Sequence, residues 1–145
     1  MAMHVLLVED SPGHIRLTQE AFLEANEEIQ LHVVADGVDA MSFLRHEGEH
    51  ADAPVPDLIL LDLNLPRMDG REVLAHIKAD DALKAIPTVI LTMSEAEADI
   101  LACYRLQANA YVKKPVEWRA FEAVVNSLHD FGSTRDRPPH QPVTG

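Results

Sequence analysis

Short, almost wholly apolar runs alternate with amphipathic stretches along most of this chain, and that alternation restricts the fold more than any single motif does. The apolar runs are "HVLLV" from His4, "IQLHVVA" from Ile29, "DLILLD" from Asp57, "IPTVILT" from Ile86 and "NAYVKK" from Asn109. Each reads as a strand, and as a set they are too apolar for the sheet to present a wet face. Between and after them lie five helical patterns. "SPGHIRLTQEAFLEA" has Ser11 as N-cap, Pro12 at its first position and a stripe through Ile15, Thr18 and Phe22. "GVDAMSFLRHE" carries Val38, Met41 and Leu44 or Phe43 at helical spacing, and "REVLAHIKA" carries Val73, Leu74 and Ile77. "EAEADILACYRLQ" follows the fourth strand, and "WRAFEAVVNSLHDF" gathers Trp118, Phe121, Val124, Val125 and Leu128 on one side. Strand and helix taking turns in this way predict a doubly wound α/β fold. Its parallel sheet has five strands between two layers made by five helices.

Size and charge narrow the function classes. The 145 residues, 47% hydrophobic, suit one domain with a real core. Residues 1–131 are expected to form it, while 132–145, "GSTRDRPPHQPVTG" after Phe131, read as a disordered tail. With 12 Lys and Arg against 24 Asp and Glu, the formal charge of −12 opposes nucleic-acid and anionic-membrane partners, and no basic cluster offsets it. No apolar run is long enough to span a bilayer. A lone cysteine, Cys103, and no signal-like segment before the first apolar run lead us to expect a reducing cytoplasm.

In a doubly wound sheet the site lies outside the carboxyl ends of the strands. Here those ends are polar almost throughout: Glu9 and Asp10 after the first strand, Asp62 after the third, Thr92 after the fourth, and Lys114 before Pro115 after the fifth. Only the second, ending in Ala35, Asp36 and Gly37, is plainer. If these side chains converge, three carboxylates face one ammonium, an arrangement that calls for a cation. Oxygen donors alone select a hard ion, Mg²⁺ by preference. A carboxylate beside a divalent ion and a lysine is a nucleophile for phosphoryl transfer, and Asp62 would become an aspartyl phosphate. Thr92 can turn its hydroxyl onto the phosphoryl oxygens and relay the change, with Tyr111 as a candidate switch side chain between buried and exposed rotamers.

These residues resemble the receiver domain of two-component response regulators, over Met3 to about Phe131, and the likeness implies a flavodoxin-like sheet in the strand order 2-1-3-4-5. The likeness rests on four motifs in order: "VED" at Val8–Asp10, "LLDLNLPRMDG" at Leu60–Gly70, "ILT" ending at Thr92 and "VKKP" ending at Pro115. It implies that Asp62 is the phosphoacceptor, that Glu9, Asp10, Asp62 and the backbone carbonyl of Asn64 hold Mg²⁺, and that Thr92 and Lys114 grip the phosphoryl oxygens. Lys114 rather than Lys113 takes that role because it directly precedes the proline. The resemblance further implies a histidine kinase or phosphotransfer protein as donor, and no enzymatic activity beyond the domain's own phosphorylation and dephosphorylation. "DLILLDLNLPRMDGREVLAHIK", the extended loop before the third strand and the absence of an output domain make the chain similar to the stand-alone regulators paired with phytochrome-type kinases. Met93 is a departure, standing where many receivers have a smaller residue, and bears on the dephosphorylation rate.

Taken singly, each residue also has an ordinary reading: Asp10 as a helix-start acid, Thr92 as a strand residue, Lys114 as a solvated charge. Joint placement at four strand ends is what favours chemistry. A competing motif, "HEGEH" at His46–His50, fits the H-E-x-x-H pattern of zinc peptidases, but Gly48 and the following "ADAPVP" break the helix that pattern requires, leaving a solvated loop with adventitious metal binding still open. His4, His14, His32, His76 and His129 show no pattern, and His14, near the acidic pair, reads as a surface residue. Output is expected through the fourth helix, fifth strand and fifth helix, where Ile100, Tyr104, Tyr111, Trp118 and Phe121 are candidate anchors for a homodimer or partner. Two other classes remain open from sequence. A phosphorylation-independent receiver-like interaction module would keep the fold without the chemistry. A flavodoxin-type small-ligand binder is weakened by the acids and by the lack of a phosphate-cradling glycine loop.

Overall fold

The structure is a computed structural model that describes residues 3–23, 29–92, 110–113, 119 and 122–123. Its elements are β1 (Met3–Val8), α1 (Pro12–Leu23), β2 (Ile29–Val34), α2 (Gly37–Leu44), a 3₁₀ turn (Gly48–His50), β3 (Leu58–Asp62), α3 (Gly70–Ala79), β4 (Thr88–Thr92) and β5 (Ala110–Lys113). They form one parallel sheet in the order β2-β1-β3-β4-β5. The expected fourth and fifth helices and the tail fall outside the described residues, save for the helical, exposed Arg119, Glu122 and Ala123.

Burial explains why β3 sits at the centre. All five of its residues are buried, which only a strand covered on both faces can achieve. The period of two then divides it. Leu58 and Leu60 pack with Val5, Leu7, Phe22, Val89 and Leu91 on the α1 side, while Ile59 and Leu61 join Leu6, Val8 and Ile90 under α2 and α3. Each such side chain contributes about 1.5–3 kcal/mol by leaving water.

The helices dock by the stripes expected of them, with one exception. In α1, Thr18 and Phe22 are buried, and the Thr18 hydroxyl donates to the His14 carbonyl at 2.9 Å, so no bare polar group enters the core. Ser11 starts the helix as expected, its Oγ accepting from His14 N–H at 3.4 Å. In α3, Asp69 caps the first turn by accepting from Arg71 N–H at 3.0 Å, and Val73, Leu74 and Ile77 face inward. In α2, Ala40, Met41, Phe43 and Leu44 are buried but Val38 is exposed; the N-cap contact from Asp39 N–H to Asp36 at 2.7 Å rotates the apolar face away from it.

Candidate functional site

β1 and β3 are neighbours in register, Val8 opposite Leu61, so the residues that follow them come out level: Glu9 after β1 and Asp62 at the end of β3. Glu9 is 1% exposed and Asp62 4% exposed, whereas Asp10 is open to solvent. One carboxylate oxygen from each lies within 4.8 Å of the others. The three predicted acids are thus brought together.

Each buried acid is held in place. Glu9 N–H donates to the Val34 carbonyl at 3.0 Å, and its Oε2 accepts from Ser11 N–H at 3.2 Å. Asp62 Oδ1 accepts from Asn64 N–H at 3.2 Å, which curls the chain after the strand. His14 is more engaged than its sequence reading indicates: its ring is 31% exposed, with Nδ1 at 3.8 Å from Glu9 Oε1. Gly70 closes the far side of the loop. Its N–H donates to the Leu63 carbonyl at 2.9 Å, and a Cβ there would collide with the Asp62 carbonyl oxygen and lie 2.6 Å from Leu63 Cα. Only glycine lets α3 start so close to the end of β3.

The remaining predicted residues are placed in part. Asp62 pairs with Leu91 in β4, so Thr92 is one residue further along that strand; Thr92 pairs with Lys113 of β5, and Tyr111 with Ile90. The side chains of Thr92 and Tyr111 fall outside the described residues, as do Met93, Ile100, Cys103, Tyr104, Lys114, Trp118 and Phe121. The geometry of the three acids suits a divalent ion. Three oxygen donors on two strand ends, two of them buried, form a compact anionic cluster that a hard cation would relieve.

Three features escaped the sequence reading. The plain end of β2 is not plain: besides capping α2, Asp36 receives Arg67 Nη2 at 3.0 Å on Oδ1 and 2.8 Å on Oδ2. Burial pushes the Asp36 carboxyl up, but the Asp39 N–H and the Arg67 guanidinium outweigh it and hold the group below the ordinary carboxylate range. His4 and His32 also meet, Nδ1 to Nε2 at 3.0 Å, because the β1–β2 register sets His4 opposite Gln30 and so diagonal to His32 on one face. Burial and the neighbouring His4 lower the His32 pKa. Third, "HEGEH" forms no zinc helix, as expected, since α2 ends at Leu44 and His46 has φ 56° and Gly48 φ 58°, but it is not simply solvated. Instead His50 Nε2 reaches Asp39 Oδ1 at 2.8 Å, with Glu49 alongside.

A parallel five-stranded sheet with acids gathered beyond the carboxyl ends of β1 and β3 defines a phosphorylation-type receiver, and the chain belongs to the response regulator receiver domain family, whose description matches residues 5–126. Receivers of this family are signalling switches that bind a divalent metal. Among individual proteins, the chain is 45% identical over 127 residues to the response regulator Rcp1 of Synechocystis sp., an alignment spanning 88% of this chain and 86% of Rcp1. It also superposes on the Mn²⁺-bound form of Rcp1 with a TM-score of 0.75 at 44% identity, over 89% of this chain and 93% of that one. The phosphorylated cyanobacterial phytochrome response regulator RcpA gives a TM-score of 0.78 at 44% identity, over 96% and 99% of the two chains.

Proposed function

We propose that this chain takes a phosphoryl group from the phosphohistidine of a sensor kinase, or of a phosphotransfer protein, onto Asp62. The observation that carries the reading is the convergence of Glu9, Asp10 and Asp62 at the ends of adjacent strands. In the transfer the N–P bond of the donor breaks and an O–P bond forms to an Asp62 carboxylate oxygen. Asp62 is held for attack by its place at the end of a fully buried strand and by the Asn64 N–H. Glu9, Asp10, Asp62 and the Asn64 carbonyl would hold the cation, with Mg²⁺ the preferred ion for an all-oxygen set; likeness to a protein solved in a Mn²⁺-bound form supports a divalent metal. Bound there, it would neutralise charge developing on the phosphoryl oxygens. Thr92 and Lys114 take the remaining phosphoryl oxygens, and Tyr111 follows Thr92 in the switch.

The partner in this reading is a histidine kinase of phytochrome type, supported by the likeness to RcpA. The receiver unit runs to residue 131, the tail begins at 132, and output passes through a homodimer or partner surface built on Ile100, Tyr104, Tyr111, Trp118 and Phe121. The chain works in the cytoplasm as a switch, without nucleic-acid or membrane partners and without catalysis beyond its own phosphorylation and dephosphorylation. Among the described residues no helix is long and apolar enough to cross a membrane. Phosphotransfer profiling against purified autophosphorylated histidine kinases, phytochromes included, tests this. At least one kinase should label the wild type and leave Asp62→Asn unlabelled. Equal labelling of the two would overturn the assignment of Asp62, and no labelling by kinase or by acetyl phosphate with Mg²⁺ would favour a phosphorylation-independent module.

A further inference from the structure

Between β3 and α3 the N–H of Met68 donates to the Pro66 carbonyl at 2.7 Å, closing a three-residue γ-turn around Arg67, whose φ is 65°. A γ-turn with positive φ at its centre is rare and strained, and a residue with a side chain stays in one only where its surroundings over-determine it. The restraint here comes from the strained residue itself. Arg67 Nη2 contacts both Asp36 oxygens, and that carboxylate is fixed in turn, because its Oδ1 also accepts from Asp39 N–H as the cap of α2. Asp36 is 17% exposed and Arg67 60%. Behind the turn there is no slack. A Cβ on Gly37 would collide with the Met68 carbonyl oxygen and lie 2.7 Å from Met68 Cβ, so the start of α2 is pressed against the loop. At its far end the loop is closed by the Gly70 N–H to the Leu63 carbonyl.

Asn64 lies inside this closed loop, two residues before Pro66. Proline holds its own φ near one value, which removes one of the few torsions that could absorb a shift of the γ-turn, so part of any shift passes to Leu65 and Asn64. We propose that Arg67, acting through Asp36, is a positioning residue for the cation site: the ion pair holds the γ-turn, and the γ-turn fixes the Asn64 carbonyl as a ligand. This rests on the reading of Asn64 given above and adds its regulation. It places control of metal affinity on the end of β2, a strand that contributes no ligand of its own. Because Arg67 is mostly exposed, the control weakens with added salt.

The test is Mn²⁺ affinity of the purified chain, by calorimetry and by electron paramagnetic resonance. Arg67→Ala should weaken binding by roughly 1.5- to fivefold, the range a partly exposed ion pair can couple. Asp36→Asn, which keeps an oxygen to cap α2, should weaken it similarly. The double variant should be no worse than either single one, Arg67→Lys should recover part of the loss, and Arg67→Gly, which relieves the strain without the guanidinium, should fall between wild type and Arg67→Ala. The gap between wild type and Arg67→Ala should narrow at high salt, and the labelling rate at saturating cation should stay unchanged. A merely structural pair would lower thermal stability and leave Mn²⁺ affinity untouched, and that result, or additive effects in the double variant, would overturn the proposal. Should Asp62 take no phosphoryl group while the Mn²⁺ series behaves as expected, the acceptor reading fails and the clamp stands. Should Asp62 be labelled while Mn²⁺ affinity ignores Arg67, only the clamp fails.

Discussion

Gly70→Ala sets two physical effects against each other with opposite signs. Gly70 is the first residue of α3 and does not have a positive φ, so alanine fits its backbone conformation. Helix propensity alone would then stabilise the variant by roughly 0.5–1 kcal/mol. Sterics say otherwise. The new Cβ would meet the Asp62 carbonyl oxygen, Leu63 Cα at 2.6 Å and the Asp62 carbonyl carbon at 3.0 Å. All three are backbone atoms at the end of the central strand, and none can rotate aside as a flexible side chain could. Relief therefore requires α3 to slide, at the cost of about 1–3 kcal/mol typical of overpacking. Net of the propensity gain this leaves about 0–2.5 kcal/mol of destabilisation, and because the clash is with backbone we expect the upper half of that range. Urea unfolding followed by circular dichroism should show a lower midpoint with an unchanged slope, and Tm should fall by about 2–8 °C per kcal/mol. Since the crowded atoms belong to Asp62 and its neighbour, and the sliding helix pulls on the loop that joins it to Asp62, Mn²⁺ affinity should fall too. A variant as stable as wild type, or more stable, would refute the steric reasoning.

Three further outcomes are expected. The His32 pKa is lowered in the fold, so the unfolded chain takes up protons first as pH falls below about 6.5, and stability declines from there until the pH passes the folded value; urea midpoints between pH 8 and 5 should fall for wild type and fall less for His32→Gln. Leu60→Ala, at a fully buried position of β3, should cost about 2–5 kcal/mol by calorimetry, and a loss under 1 kcal/mol would mean that the core is not packed as described. Glu9→Gln should weaken Mn²⁺ binding in calorimetry by about tenfold or more, as removing one charged donor from a three-acid cluster would do; unchanged affinity would place the cation elsewhere.

The parallel, helix-covered sheet and the meeting of the acids were readable because both follow from short-range pattern plus one general rule. Five apolar runs alternating with helical stripes leave few topologies, and a carboxylate at the end of an inner strand must emerge at the open edge. What could not be read depends on register and on crossover loops. His4 and His32 look unrelated 28 residues apart, and only a pairing that sets Leu6 opposite His32 brings the rings together. Asp36 and Arg67, 31 residues apart, meet because two loops are pressed together at Gly37 and Met68, a closeness that no local periodicity encodes. Val38 failed for a smaller reason: helical spacing fits several rotations of so short a helix, and the cap contact at Asp36 chose one that exposes it.

Strand β3 has a neighbour on each side and a helical layer on each face, and this sets the order in which the site would fail under stress. Hydrogen exchange along such a strand reports global opening, whereas loop contacts open locally at lower free energy. Warming or mild denaturant should therefore loosen the Asn64–Asp69 turn first and the exposed Asp10 with it, while Asp62 keeps its place until the molecule unfolds as a whole. A heat-stressed population would contain chains with Asp62 still in position but the acidic cluster around it opened, a state reversible on cooling.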